Sequence, residues 1–465
     1  MTKGGFARCI VVLLAIAAHA PILKAQDVDL EALAHEAVER LQSYIRVDTV
    51  NPPGNEVRAV EFFARILKAE GIPFKTAESA PGRGNIWARL EGGSKPTLIL
   101  LHHSDVVPAE KEHWTTDPLG GEIRDGYLYG RGALDTKVSG ILNLQTMIAL
   151  HRMGLPLNRD VIFMATADEE AGGFYGAGWL LEHRPELFEG TGLLLNEGGY
   201  GRLADGGVQF QVEVTQKVPL WLRLVARGRP GHGSMPRTAS AVNRLVRALF
   251  NIQNHEFQPR IIPAVDTYFK ALADQAKEEW RPQFTDMAEA VKDREFLLRL
   301  QLEEPLLHAL TRNTCSITVL EGSNKTNVVP PQSTAELDCR LLPDQNPEAF
   351  VELLRTTIND PSIEIERIMG FSPAVSTTDT DLFRAIEAVT RRDFPGSKVI
   401  PSVAAGFTDS HFFRDKGIVS YGFVPIVLQS EEYARIHGND ERISVENIER
   451  GTQMMLDIVR ELVHQ

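Results

Sequence analysis

The chain has 465 residues, of which 43% are hydrophobic and 24% charged, and its formal net charge at pH 7 is −13. This balance is typical of a globular protein, and the length exceeds one ordinary hydrophobic core, so we expect two domains or more. An acidic chain without a long Lys/Arg run is poorly suited to a nucleic-acid partner, because phosphate binding requires a basic surface. The acidity also fits a cation site that uses carboxylates.

The first 25 residues have the order of a secretory signal. Lys3 and Arg8 precede an apolar run that continues to Ala20, and Ala25 offers a small residue for cleavage. The run is too short to span a bilayer comfortably. We therefore predict a signal peptide over residues 1–25 and a secreted or periplasmic protein with no stable membrane span after its removal. An uncleaved amphipathic anchor is the alternative.

Two cysteines remain after the predicted signal, Cys315 and Cys339. They fall in two strand-like runs, 314–320 and 334–341, which could pair antiparallel with the two cysteines opposite each other. Export permits a disulfide, whereas directly opposed cysteines strain the bridge geometry, so two buried thiols remain an alternative. Neither cysteine has a second Cys or His at metal-ligand spacing.

The predicted elements describe an α/β unit interrupted by a smaller module. Helical spacing in the first part of the chain is broken by the turn residues Asn51-Pro52-Pro53-Gly54, and short apolar strands then alternate with helices. Such alternation predicts a mostly parallel sheet covered by helices. A later β-α-β-β-α-β order matches a ferredoxin-like α+β module. We predict a catalytic domain over 26–215 and 371–465 and an inserted module over 216–370, itself carrying a helical insertion at about 264–312.

Acidic residues and a histidine follow three predicted strands where each strand ends. His103 follows the first predicted strand, residues 97–101, and Asp105 could accept the second N–H of its imidazole, while the neighbouring His102 is predicted to be a structural or surface residue. Because ligands of such sheets gather beyond the carboxyl ends of the strands, we expect these side chains to lie close together. The acids that follow the next two strands are Glu169, Glu170 and Glu197.

Asp135 and His437 complete a candidate two-metal site. Asp135 ends a glycine-rich turn whose spacing fits neither a phosphate loop nor a dinucleotide fingerprint, so it suits a carboxylate that bridges two cations; a helix N-cap is the alternative. His437 lies in a polar loop before the last helix. Each metal would have one histidine, one terminal carboxylate and the shared Asp135. These ligands suit two zinc ions, and the same ligand types also suit cobalt or manganese.

The motifs resemble those of the zinc aminoacylase/carboxypeptidase family of metallopeptidases, which includes aminoacylase, glutamate carboxypeptidase, succinyl-diaminopimelate desuccinylase and N-acyl-amino-acid hydrolases. The resemblance covers nearly the whole chain after the signal, in the family's order. It implies an α/β zinc domain interrupted by a ferredoxin-like lid or dimerisation domain. The motifs that carry it are H-S-D-V-V-P, G-R-G-A-L-D-T-K, A-T-A-D-E-E-A-G-G, N-E-G-G, G-H-G-S-M-P and H-G-N-D-E-R.

The resemblance also implies roles for individual residues. His103 and Glu197 would hold one zinc, Glu170 and His437 the other, and Asp135 would bridge them. Asp105 would orient His103, and Glu169 would be the general base that moves a proton from water to the leaving amine. Three residues of the inserted module would contact the substrate: His232 at the oxyanion, a histidine that members of the family often supply from the partner subunit of a homodimer, and Asn327 and Arg340 at a carboxylate.

The segment from Gly406 to His411 departs from the family pattern, because Phe407 and His411 stand where a glycine and an arginine are common. Gly406 is predicted to contact the substrate, whose identity this departure leaves open. The sequence predicts an exported dinuclear-zinc hydrolase of a peptide or N-acyl-amino-acid bond next to a free carboxylate. The sequence does not distinguish a carboxypeptidase from an acylase. A non-catalytic binding protein with the same fold and a single-metal carboxypeptidase are the alternatives.

Overall fold

A computed structural model of the protein describes residues 1, 28–204, 207–273 and 276–464. The predicted signal peptide, apart from Met1, lies outside the described residues. Within them, no helix combines the length and the apolar character needed to cross a bilayer.

The main unit consists of one large sheet, a small three-stranded sheet and the helices around them. Its strands are β1 Phe74–Glu78, β2 Gly84–Leu90, β3 Lys95–His103, β4 Glu122–Arg124, β5 Tyr127–Tyr129, β6 Arg159–Thr166, β7 Thr191–Asn196, β8 Gly201–Ala204, β9 Gly207–Gln216, β16 Lys398–Ala404, β17 Val419–Gly422, β18 Val427–Leu428 and β19 Arg442–Ser444. Its helices are α1 Leu30–Ile45, α2 Val57–Ala69, α3 Lys137–Met153, α4 Ala177–His183, α12 Asp381–Asp393, α13 Ser410–Arg414, α14 Ser430–Tyr433 and α15 Val445–Val463.

The large sheet, with ten strands among the described residues, has the order β1-β2-β6-β3-β7-β17-β9-β8-β18, and β16 pairs with β9. Its centre, β6-β3-β7-β17, is parallel, whereas β1-β2, β2-β6 and β8-β9 are antiparallel. The central strands are continuous apolar runs, as expected when helices cover both faces. The large core includes α1, α3, α12 and α15 on one face, and a smaller core beneath α4 and α13 covers the other. The predicted α/β class is confirmed.

A four-stranded antiparallel sheet with the order β12-β14-β10-β15 forms a separate module. The chain order β10-α5-β12-β14-α11-β15 is the β-α-β-β-α-β order of a ferredoxin-like module, and α5 and α11 contribute to its core. We call this the four-stranded module. Its elements are β10 Val218–Arg227, α5 Ala241–Gln253, β12 Thr314–Glu321, β14 Gln332–Leu341, α11 Pro347–Ile358 and β15 Glu364–Gly370, with a short ribbon of β11 Gly231–His232 and β13 Val328–Val329.

Cys315 on β12 stands directly opposite Cys339 on β14, and the two form a disulfide. Of the two arrangements compatible with the sequence, the structure therefore contains the bridge rather than two thiols. The strand that carries Cys315, β12, is an edge strand of this sheet, and most of its residues after Cys315 are exposed.

The predicted helical insertion consists of short helices that pack against the main unit. The helices are α6 Pro263–Ala273, α7 Arg281–Thr285, α8 Met287–Ala290, α9 Arg294–Glu303 and α10 Pro305–Ala309. Their apolar side chains form their own core, which includes Ile400 and Val403 of β16. The side-chain amide of Gln209 on β9 also donates to the carbonyl of Ala271, 3.1 Å away. The insertion thus leaves the four-stranded module and covers the edge of the large sheet.

Candidate metal centre

Three parallel strands bring the first group of predicted ligands together. β3 ends at His103, which is paired in register with Thr166 at the end of β6, and β7 ends immediately before Glu197. A short turn after β6 carries Glu169 and Glu170. Because these strands are neighbours and parallel, their ends meet at one edge of the sheet.

The adjacent His102 lies on the opposite face, packed edge-on against Tyr44 and Phe63. Burial lowers the pKa of His102 to about 3. It is therefore a neutral core residue, as its position next to His103 in an alternating strand predicts.

Asp135 stands between the two predicted histidine ligands. Its Oδ1 lies 3.1 Å from Nε2 of His103 and its Oδ2 lies 3.0 Å from Nε2 of His437. One oxygen of the carboxylate thus faces each histidine. This is the arrangement that a carboxylate bridging two cations requires.

Each histidine has a second carboxylate of its own. Oε1 of Glu197 lies 3.4 Å from Nε2 of His103, and Oε2 of Glu170 lies 3.3 Å from Nε2 of His437. Glu169 lies beside the first pair, with its Oε2 4.0 Å from Nε2 of His103. Within this cluster, two sets of donor atoms fall within 4.8 Å of one another: His103 with Glu169 and Glu197, and His103 with Asp135 and Glu170.

The donor set fits divalent cations. Oε1 of Glu170 is buried and has no hydrogen-bond partner among the described residues, and an oxygen buried in this way is costly unless a cation or a donor balances it. Imidazole nitrogens and carboxylate oxygens are ligands of zinc, and two such sets about a shared carboxylate suit a pair of ions. The residues that would hold the ions are His103, Asp135, Glu170, Glu197 and His437.

Burial and close packing shift the pKa values of the carboxylates and of His437 in this cluster. Burial raises the pKa of Glu197 to about 7, and burial together with the Glu197 and Glu170 carboxylates raises the pKa of Glu169 well above its usual range. Although burial acts against ionisation, hydrogen bonds with His103 and His437 lower the pKa of Asp135. Hydrogen bonds with Asp135 and Glu170 raise the pKa of His437 to about 10. Positive charge placed among these carboxylates would favour their ionised forms.

Asp105 connects the histidine to the turn that carries the two glutamates. Nδ1 of His103 lies 3.0 Å from the Asp105 carbonyl oxygen and 3.5 Å from its Oδ1. The Asp105 carboxylate also accepts hydrogen bonds from the backbone N–H groups of Glu169 and Glu170, each 3.1 Å away. A single buried side chain therefore fixes both the predicted ligand and the predicted base.

A buried network behind Asp105 has no counterpart in the sequence prediction. The side-chain amide of Asn51 donates to Oδ2 of Asp105 at 2.8 Å, and Arg83 donates to Oδ1 of Asn51 at 3.0 Å. Arg83 also pairs with Glu56 and with Asp168, the residue before Glu169, at 2.5 and 3.0 Å. The sequence prediction treats the Asn51 segment only as a break between helices. An asparagine followed by two prolines and a glycine forms a defined turn, and this pattern is the one feature of the sequence that could have indicated a fixed position for Asn51.

Arg131 and Glu441 form a second supporting pair that the sequence prediction missed. Oε2 of Glu441 accepts from Nη1 of Arg131 at 2.6 Å, and its Oε1 accepts from the backbone N–H groups of Leu134 and Asp135 at 2.7 and 3.1 Å. Arg131 also donates to the carbonyl of His437 at 3.3 Å. The pair thus ties the loop of Asp135 to the loop of His437. Both residues belong to the motifs that supplied these two ligands.

The predicted substrate contacts fall into two groups. His232 is exposed on the β11–β13 ribbon, with Nδ1 2.8 Å from Oγ of Ser234, and Asn327 adjoins it through a hydrogen bond from Gly233. Among the described residues, no hydrogen bond or ion pair joins His232 to the metal-ligand candidates. Arg340 lies elsewhere, over the ring of Phe407 at 5.5 Å, next to Gly406, around which there is open space.

The sheet and this cluster of histidines and carboxylates define the class of the protein as an α/β protein with a candidate metal centre. Comparison of the sequence with family models matches residues 99–461 to peptidase family M20/M25/M40. The chain belongs to this family.

Relatives in the family include both acylases and peptidases. The chain is 31% identical to the N-fatty-acyl-amino acid synthase/hydrolase PM20D1 of Xenopus tropicalis, covering 91% of this chain and 85% of the relative. It is 29% identical to aminoacylase-1 of Sus scrofa, over 92% of this chain and 95% of that protein. A solved M20 family metallo-carboxypeptidase from Sulfolobus solfataricus has the same fold, with a TM-score of 0.69, 20% identity, and coverage of 91% of this chain and 98% of that one.

Proposed function

We propose that the protein is an exported dinuclear-zinc hydrolase that cleaves a peptide or N-acyl-amino-acid amide bond next to a free carboxylate. The observation that carries the proposal is Asp135, whose two oxygens face two histidines, each of which has its own second carboxylate. This symmetry argues against a single-metal site, which would leave one histidine and one buried carboxylate without a role.

The residues around this centre have distinct tasks in the proposed reaction. Zinc ions, when bound, lower the pKa of a water molecule and polarise the scissile carbonyl. Glu169 accepts a proton from the attacking water and delivers it to the leaving amine as the carbon–nitrogen bond breaks. A neutral carboxyl cannot accept this proton, so Glu169 acts as the base only while nearby positive charge holds it ionised. Asp105 holds His103 and the turn that carries Glu169 in fixed positions relative to each other.

Substrate binding is assigned to the four-stranded module, acting as a lid. Arg340 has Nε and Nη2 on Asp338, at 2.7 and 3.1 Å, while its Nη1 is buried without a partner among the described residues. This unpaired nitrogen is a donor suited to the carboxylate of a substrate, which would reach it once the side chains that bury it move aside. Asn327 would assist it, and His232 would stabilise the oxyanion of the tetrahedral intermediate.

His232 must be brought to the carbonyl by closure of the lid or by a second copy of the chain. We propose a homodimer through the lid, because β12 is an edge strand and apolar side chains are exposed on it and on the neighbouring helix α5. The exposed residues are Ile317, Val319, Leu320, Val246 and Phe250. Mixing His232→Ala with Glu169→Ala subunits tests supply from the partner. Activity should return in verified heterodimers; its absence would mean that each site is completed within one chain.

Export is proposed from the first 25 residues, and the disulfide between Cys315 and Cys339 fits an oxidising compartment. N-terminal sequencing of the protein recovered from the cell exterior or periplasm should begin near residue 26. Recovery of an intact Met1 terminus from the cytosol would contradict this part of the proposal.

The decisive experiment compares the zinc-loaded wild type with Glu169→Gln on dipeptides and N-acyl amino acids, each with a free or an amidated carboxyl end. Free-acid substrates should be turned over, amidated ones should be poor, and Glu169→Gln should retain two zinc ions while losing most turnover. A protein that binds these compounds without hydrolysing them would be the non-catalytic receptor instead. The same comparison decides between acylase and carboxypeptidase, which the family contains together.

A further inference from the structure

A cavity of about 810 Å³ lies where the four-stranded module meets the helical insertion. Its walls are the end of α5 with the loop that follows, the helix α9, and the first half of β12 with the residues before it. Ligand cavities in proteins commonly have about 300–1,000 Å³, so a small organic molecule fits this one. None of the described residues that line it is a metal-ligand candidate or a predicted substrate contact.

Arg312 brings a buried positive charge to this cavity. The residue is 9% exposed, and its side chain has one hydrogen bond within the described ranges, from Nε to Oγ1 of Thr311 at 3.4 Å. Its Nη2 is buried without a hydrogen-bond partner, and no carboxylate of the described residues forms an ion pair with it. An arginine stays protonated in proteins, and a buried charge without a counter-charge is costly. An anion that entered the cavity and contacted the guanidinium would offset this cost.

The other ionisable groups of the cavity favour a ligand with a single negative charge. Glu256 lines the cavity, and its carboxylate opposes the burial that lowers the pKa of Arg312. Arg294, at the exposed start of α9, adds a second cation. Burial, with the Arg312 and Lys217 charges, lowers the pKa of His308 to about 4, so this histidine is neutral at pH 7. Two arginines beside one glutamate suit a monoanion better than a phosphate or another multiply charged group.

Apolar side chains of the cavity are left partly uncovered by the fold. Leu298 on α9 and Ile317 on β12 are 51% and 40% exposed. Ile252 of α5 and Leu297 of α9 also line the cavity and are buried. Uncovered aliphatic groups beside a cation suit a ligand that has an apolar chain and one charged end.

We propose that this cavity binds an aliphatic carboxylate, with the carboxylate at Arg312 and the chain against Leu298 and Ile317. The site shares no lining residue with the metal centre, and it does not depend on the amide hydrolysis proposed above. Thr314, which lines the cavity, stands opposite Arg340 in the sheet. The two arginines must therefore be tested separately.

The probe is decanoate added to the zinc-loaded protein, and its position is read from hydrogen exchange of the backbone amides. Exchange should slow in α9 and β12, both in the wild type and in Arg340→Met, which lacks the predicted substrate contact. The decanoate concentration that gives half of this protection should rise about tenfold or more in Arg312→Met, because a charged hydrogen bond is lost. The Tm of Arg312→Met without decanoate should be unchanged or higher, since the variant removes a buried charge that has no counter-charge.

Two further compounds test the two ends of the ligand. Acetate has the carboxylate without the chain, and decyltrimethylammonium has the chain with the opposite charge. Neither should protect α9 or β12 at the concentrations at which decanoate does. Protection by decyltrimethylammonium equal to that by decanoate would show that the cavity does not select a carboxylate.

Leu298→Glu and Leu302→Glu form a matched pair on α9. Both leucines are exposed, at 51% and 83%, but Leu298 lines the cavity and Leu302 does not. A carboxylate at position 298 should repel the ligand and raise the half-protection concentration about tenfold or more, whereas Leu302→Glu should leave it unchanged. The proposal fails if decanoate protects neither α9 nor β12, if the two glutamate variants behave alike, or if Arg312→Met keeps the wild-type value. Protection that disappears in Arg340→Met would place decanoate at the predicted substrate contact instead.

Discussion

The pair of Arg131 and Glu441 should determine both the stability of the main unit and the position of Asp135. Both residues are buried, with exposures of 2% and 0%. The Glu441 carboxylate accepts three backbone N–H bonds from the Asp135 loop, those of Gly132, Leu134 and Asp135, in addition to the 2.6 Å bond from Arg131. Replacing Glu441 by glutamine keeps the shape of the side chain, removes its charge and turns an amide donor toward Arg131.

Glu441→Gln should therefore leave a buried guanidinium without its counter-charge. Breaking a buried ion pair on one side costs about 3–5 kcal/mol, and we expect a loss of this size in the free energy of unfolding. In the double variant Arg131→Met/Glu441→Gln, no charge is buried and the glutamine oxygen can still accept from Leu134 and Asp135. The double variant should recover at least about 1.5 kcal/mol of the loss, because an apolar replacement of a buried pair is often close to neutral.

The assay is urea unfolding of the metal-free proteins at neutral pH, followed by circular dichroism, with zinc content measured separately after reloading. Glu446→Gln is the control, because the Glu446 side chain is 83% exposed and its ion pair with Arg450 is long, at 3.9 Å. The control should change stability by less than about 0.5 kcal/mol. A loss below about 1 kcal/mol in Glu441→Gln, or a double variant no more stable than the single one, would refute the reasoning.

Three further predictions concern other contacts of the structure. Asn51→Ala removes the 2.8 Å hydrogen bond to Asp105 and should weaken zinc binding about tenfold or more, measured by competition with a chelating dye; unchanged affinity would contradict a supporting role. Hydrogen bonds with the Asp135 and Glu170 carboxylates raise the pKa of His437 from 6.5 to about 10. The folded state is therefore stabilised by protonated His437 fully below pH 6.5, and this stabilisation is lost as the pH rises through about 10. The Tm of the metal-free protein should accordingly fall across this range, and a flat profile would count against the pairing. Replacing both Cys315 and Cys339 by alanine opens a loop with a sequence separation of 24 and should destabilise the four-stranded module by about 3 kcal/mol in urea; no change would show that the bridge does not stabilise the fold.

The sequence was sufficient for the parts of the protein in which one element determines the position of the next. Apolar runs predict β3, β6 and β7, and the parallel arrangement places His103 and the acids after the other strands at one edge. The β-α-β-β-α-β order likewise predicts the four-stranded module. Both predictions depend on chain order and local pattern, which a sequence contains directly.

Contacts between distant segments were not predictable in this way. Arg83 lies in a turn with no periodic pattern, and its partner Asn51 is 32 positions away, so nothing local indicates that the two support Asp105. The sequence pattern predicts a helical insertion, but amphipathic spacing does not say which surface an apolar face covers. Only the structure shows that the surface covered by these helices is β16.

The contact between α6 and β16 gives the four-stranded module a third attachment to the main unit, in addition to the two chain crossings near Lys217 and Phe371. The insertion is also held at the module, because Nζ of Lys217 donates to the carbonyls of Ala309 and Arg312, each 2.8 Å away. The insertion therefore contacts both units, with its apolar core against β16 and its last residues at Lys217. A change in the position of the module relative to the large sheet would also change the packing between α6 and β16.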